Sequence, residues 1–194
     1  MEKQIGERER DWLTNVIRKQ NITLFLEISL NIKDLFGYNW YSRRRFLKSM
    51  VEIPWKTVVE SCGASFDSVR DIFVHSLQAE HFWMRRLSGK SIEGIYNAPF
   101  TKYADVNSIQ EYADEVEAET NEYLKTLTDE KLQSVFEFKR WDGKPDRKKI
   151  EDILMHVIEE EIHHRGELLC IYWQNDITPP YTSYTGYVDY TGQV

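Results

Sequence analysis

Residues 150–166 read IEDILMHVIEEEIHHRG, and this stretch decides the fold. Placed on a helical wheel at about 100° per residue with His164 as zero, Ile150, Ile153, Val157, Leu168 and Ile171 fall within about 40° of it. Glu160 falls on the same stripe. A stripe this apolar faces a core, and Glu160 and His164 interrupt it. An ionised carboxylate among apolar side chains is costly unless it is paired or binds a metal. A His four residues on is its natural neighbour, and two such groups can ligate one cation. The wheel is equally satisfied by a buried Glu–His ion pair without a metal. Glu159 and His163 have the same spacing but lie off the stripe and read as solvent-facing. His156 lies about 80° from His164, where it could support a ligand.

Working outward, the rest of the chain supplies three further helices and a hairpin. Residues 33–50 carry Leu35, Phe36, Trp40 and Phe46 at amphipathic spacing, ended by Pro54. A second helix spans residues 66–87, capped at Ser65 or Asp67 and closed by Ser88-Gly89. A third spans residues 108–127, after a loop over residues 90–106. Residues 135–138 and Trp141-Asp142-Gly143-Lys144 read as a strand and tight turn, with the last helix over residues 147–174 and Pro179-Pro180 beyond it. The sum is an all-α four-helix bundle.

Residues 8–20 suit a short helix, and Ile22 to Ile32 alternate at period two, as a strand arm or as the start of the first helix. Tyr181, Tyr184, Tyr187 and Tyr190 recur every three residues, so the tail is expected to pack on the body or on a partner.

A third ligand would tip the Glu–His reading toward a metal. The second helix offers His75, at the border of its apolar side, and His81, which points away from it. That helix alone does not single out His75.

The 194 residues suit one domain, with 41% apolar and 29% charged residues. A net charge of −7 argues against non-specific nucleic-acid binding. No apolar run approaches the roughly 20 residues of a membrane span, and the charged N-terminus lacks a signal-peptide core. The expectation is a cytoplasmic protein, in which the Asn21-Ile22-Thr23 sequon is a chance match. Cys62 and Cys170 then read as free thiols behaving as small buried hydrophobes.

The run from His156 through Glu160 and His164 to Arg165-Gly166 resembles the last-helix signature of DinB/YfiT-like proteins, commonly HxxxHxxHHRG. Asp71-Ile-Phe-Val-His75 with Glu80 and Trp83 resembles that family's first-ligand helix, and Phe36-Gly-Tyr-Asn39-Trp40 its opening helix. The Trp141-Asp142-Gly143 turn and Pro179-Pro180-Tyr181 fit as well. The likeness covers residues 33–185, leaving residues 1–32 as an added N-terminal segment and 186–194 as a C-terminal tail.

The resemblance implies a divalent metal held by His75, Glu160 and His164. The family more often has His at the position of Glu160; Glu there is also seen in the branch resembling mycothiol-dependent maleylpyruvate isomerase. Two His and one carboxylate suit zinc, and equally nickel, iron or manganese. Relatives join a low-molecular-weight thiol to an electrophile or use it in isomerisation. A metal-dependent thiol transferase, isomerase or hydrolase is therefore implied, with a thiol cosubstrate, a small-molecule substrate and a homodimeric assembly. No catalytic acid, base or nucleophile stands out. The rival is a non-catalytic, stress-related metal-binding or dimeric scaffold. The family's link to DNA damage prompts a DNA-binding role, which the acidic balance disfavours.

Other residues have bland readings. Gly166 within a helix points to close helix packing, and Arg165 to a surface or supporting group. Arg43-Arg44-Arg45 reads as a solvated face, with contact to an anionic thiol as the alternative. Lys139, Arg140, Lys144, Arg147, Lys148 and Lys149 read as a solvated basic surface.

Overall fold

Leu35, Phe36, Trp40, Leu47 and Met50 fall on one face at helical spacing, and a helix that buries them, α1, runs Ile32–Glu52. Pro54 follows; it lacks a backbone donor and pushes Ile53 out of helical geometry. The computed structural model describes residues 31–192. The helix expected over residues 8–20 and the alternating stretch before α1 lie outside the described residues. From Leu35 onward the described residues form one compact unit.

A short helix α2, Trp55–Val59, buries Val58. The second main helix, α3, spans Val69–Leu87. Its cap is Ser68, whose hydroxyl accepts from the Asp71 amide, so neither Ser65 nor Asp67 opens it. Phe66 belongs to the preceding loop. Apolar spacing could not separate it from the helix, because it packs against the same core. The helix closes where the Lys90 amide reaches back to the Arg85 carbonyl around Gly89, which sits at φ +69.

After a 3-10 turn at Phe100–Lys102, helix α4 runs Val106–Lys125, opened by a reciprocal Asp105–Ser108 capping box. Thr128 then caps a short helix α5, Asp129–Gln133. Strands β1, Val135–Lys139, and β2, Pro145–Lys149, pair antiparallel from Val135↔Lys149 to Lys139↔Pro145. The residues after the turn are thus a strand, and the last main helix α6 begins at Ile150 and ends at Gln174. The hairpin carries Pro145 at the start of β2, where no ladder donor is lost.

Helix α3 packs against both α4 and α6. Phe46 of α1 meets Tyr172 of α6 edge-on at 5.5 Å. The core gathers Phe46, Met50, Ile72, Leu77, Ile109, Val116 and Leu168 from all four main helices. This is an all-α four-helix bundle with a hairpin before its last helix.

The tail forms a seventh described helix, α7, Tyr184–Thr191. Tyr187 is buried and packs on Tyr38 and Tyr41 of α1, whereas Tyr181 and Tyr190 stay 60% and 71% exposed. Among the described residues no helix is long and apolar enough to cross a membrane.

Candidate metal centre

Helices α3 and α6 bring His75, Glu160 and His164 together, with one ligand atom from each lying within 4.8 Å of the others. His164 Nε2 is 3.5 Å from Glu160 Oε2, and His75 Nε2 is 4.0 Å from the same oxygen. The imidazoles stand nearly perpendicular, 86° apart with centroids at 5.0 Å. A tetrahedral ion with bonds of about 2.0–2.2 Å needs ligands about 3.3–3.6 Å apart, so small side-chain movements would close the set.

The protonation states favour ligation. Burial, with the neighbouring His164, pushes His75 down to about 4 against the pull of Glu160 and Glu167, leaving its imidazole neutral. Glu167 lies three residues past His164, and its carboxylate is 2.7 Å from His164 Nδ1. Burial raises Glu167, but hydrogen bonds from Ser65 and His164 outweigh this and hold it below the usual range. An ionised carboxylate only accepts, so Nδ1 carries a hydrogen and Nε2 faces Glu160 and His75. A carboxylate backing an imidazole in this way orients metal ligands generally. Phe66 covers the group, stacked on His75 at 4.1 Å and edge-on to His164 at 5.7 Å.

The sequence does not mark Glu167, Ser65 or Phe66 as parts of the site. Glu167 could have been found, since a carboxylate three residues after a core His shares its face. The other two reach the site through a loop. Glu159 and His163 are exposed, as the wheel has them. His156 is exposed too, its Nδ1 4.0 Å from Glu160, too far for a hydrogen bond.

Several bland readings need correction. Arg165 is buried; it donates to Asn39 at 3.3 Å and lies over the Tyr38 ring. Gly166 packs against nothing, since a Cβ there would meet no atom within 4 Å. His81 is buried beside Tyr112, 3.1 Å away, and Glu119, 3.4 Å away. Burial keeps it below its ordinary pKa despite Glu119. The cysteines are free, but Cys170 is exposed and Cys62 only half-buried.

Arg43 is the largest departure, because it is buried rather than solvated. It donates to Glu80 of α3 at 2.6 Å and to Glu161 of α6. Trp40 and Thr120 complete Glu80 at 3.2 and 2.6 Å. Burial works against the Arg43 charge, but Glu161 and Glu80 outweigh it and hold its pKa well above the ordinary value. Burial raises Glu161 against the pull of Arg43.

Beside the triad lies a cavity of about 850 Å³ between α3, the hairpin and α6. Lys139, Arg140 and Lys148 line it, so part of the basic hairpin forms a wall rather than open surface. Tyr96 and His156 belong to both places: Tyr96 faces His75 at 6.1 Å between ring centroids, and His156 neighbours Glu160.

Comparison with known proteins agrees with the all-α fold. A profile described as the DinB family matches residues 27–193. YizA of Bacillus subtilis (strain 168), described as an uncharacterized protein, is 21% identical over 151 residues, covering 78% of this chain and 92% of YizA. A crystal structure of a DinB-like protein from Bacillus cereus ATCC 10987 superposes with a TM-score of 0.58 at 19% identity, over 78% of this chain and 95% of that one. The DinB-like protein YjoA of Bacillus subtilis gives a TM-score of 0.56 at 17% identity, over 77% and 98%.

Proposed function

The chain belongs to the DinB family, and from that premise we propose that it is a divalent-metal-dependent enzyme acting with a low-molecular-weight thiol, as an S-transferase or isomerase. His75, Glu160 and His164 are its metal ligands. The observation that carries this reading is a third group, His75, meeting Glu160 and His164, together with a Glu167 carboxylate 2.7 Å from His164 Nδ1. A structural ion pair needs neither feature. Two imidazoles and a carboxylate suit zinc, and also nickel, iron or manganese.

A divalent ion held there supplies a Lewis acid that lowers the pKa of a thiol and keeps it as thiolate. The chain's own groups do the rest. Glu160 contributes the one negative charge of the ligand set. Phe66 screens one side from water. The Tyr96 phenol, pushed up to about 12 by burial and by Glu160, stays protonated and can donate a hydrogen bond to a substrate.

Assembly as a homodimer is part of the proposal. Met155, Ile162 and Trp173 of α6 are 45%, 44% and 62% exposed. They share one face within about 20° of each other, with Gly166 at about 40°. An apolar face holding a glycine with open space above it suits close approach by a second copy.

The test is cobalt substitution. Adding a small thiol to the cobalt protein should produce a sulfur-to-metal charge-transfer band and release a proton near neutral pH. Glu160→Ala should lose loading and band together, while Glu160→His should keep loading. If bound cobalt shows no change with any thiol, the enzyme reading fails and a metal-binding scaffold replaces it.

A further inference from the structure

The cavity next to the triad has a composition that selects its occupant. Phe82, Trp83, Ile92, Tyr96, Phe138 and Ile153 give it a mainly aromatic wall, and about 850 Å³ suits a drug-sized ligand. Of the charged groups lining it, Arg86 sits among the rings. The Arg86 guanidinium carbon lies 5.2 Å from the Phe82 ring, 5.6 Å from Trp83 and 4.8 Å from Phe138. One of its N–H groups donates to the Lys139 carbonyl.

Among the described residues no carboxylate comes within ion-pair distance of Arg86, nor of Lys139 on the rim, whereas the other two rim cations are paired. Lys148 has Asp146 at 3.1 Å, and Arg140 has Asp142 at 3.7 Å. Burial opposes the Arg86 charge and holds its pKa below the ordinary value. An anion arriving there would relieve that penalty. A cation would not, because the ring faces that could attract it already carry Arg86. Asp152, also on the wall, is solvent-exposed and keeps its hydration.

The geometry points to a flat, apolar, anionic ligand, an aryl carboxylate or its like, lying in this cavity with its carboxylate on Arg86. His75, Phe82 and Arg86 are seven and eleven residues apart, so they lie along one face of α3. Arg86 is about 16 Å along the helix from His75. A ligand anchored at Arg86 therefore extends along α3 toward Tyr96 and the triad, with its far end presented for reaction. As the electrophilic substrate of the proposed enzyme, this ligand rests on the metal-dependent reading. As a binding site, it stands on the cavity alone.

Calorimetric titration with biphenyl-4-carboxylate, its neutral carboxamide and biphenyl-4-ylmethylammonium decides the matter. On zinc-treated wild type the carboxylate should bind at least tenfold tighter than the amide, and the ammonium weakest. Arg86→Gln should reduce the carboxylate to the level of the amide and leave the amide unchanged, while Arg86→Lys keeps part of the preference. His164→Ala, which loses a proposed metal ligand, should still bind the carboxylate. Equal binding of carboxylate and amide by wild type overturns the inference without needing any variant to fold. So does a carboxylate affinity that survives Arg86→Gln but vanishes in His164→Ala, since the anion would then sit on the metal. Carboxylate selectivity alongside an inert cobalt–thiol spectrum would retain this site and discard the enzyme reading.

Discussion

At the scale of single residues, burial of charge is the decisive quantity. Arg43 and Glu80 have side chains only 3% and 2% exposed, so their pairing is hardly screened. Arg43→Met leaves two carboxylates facing each other without a cation and should destabilise the fold by about 3–5 kcal/mol, read from urea unfolding. Adding Glu80→Gln and Glu161→Gln should restore most of that loss. None of this was visible in one sequence. Arg43 stands in a run with Arg44 and Arg45, and Glu161 in a run with Glu159 and Glu160. Which member of each run turns inward depends on partners on other helices. Glu160 and His164 were readable because they break an apolar stripe within a single helix.

At the scale of elements, α7 is held on α1 by a close fit. A Cβ on Gly37 would lie 2.5 Å from the Tyr187 hydroxyl. Gly37→Ala should therefore displace α7 rather than disturb α1, at a cost of about 1–3 kcal/mol. Limited proteolysis should cut near residue 183 in the variant before it cuts the wild type, and equal cleavage would disprove the fit. The sequence predicts that the tyrosines pack, and Tyr187 does. Tyr184 and Tyr190 also meet Tyr38 and Tyr41, at 5.2 Å each, but only Tyr187 is buried, and a spacing of three, which recurs on any helical face, does not say which one the groove beside Gly37 takes. The hairpin was readable from Asp142-Gly143, but β2 was absorbed into the following helix, since Pro145-Asp146-Arg147 suits a helix start as well as a strand.

At the scale of the whole molecule, the proposed metal would join α3 to α6 and so be coupled to folding. At a free-ion concentration of 100 times the dissociation constant, the native state gains about 2.7 kcal/mol. For a chain of this size that is roughly 5–10 °C of melting temperature. Zinc should raise the melting temperature of wild type by such an amount, a chelator should reverse it, and His164→Ala should respond to neither. The bundle itself was readable from four amphipathic stretches. The cavity was not, because it exists only where α3, the 90s loop, the hairpin and α6 meet. The Arg43 node also joins the bundle, since Trp40 and Arg43, Glu80, Thr120 and Glu161 come one or two each from its four main helices. Heredity acts on such a node as on a single character. Losing the arginine strands two acids, and losing Glu80 strands an indole, a hydroxyl and half a guanidinium, so no member can drift alone without penalty. Descendants of this chain should keep all five positions or exchange them in concert, and that linked inheritance would mark its lineage within the family more sharply than the proposed metal ligands would.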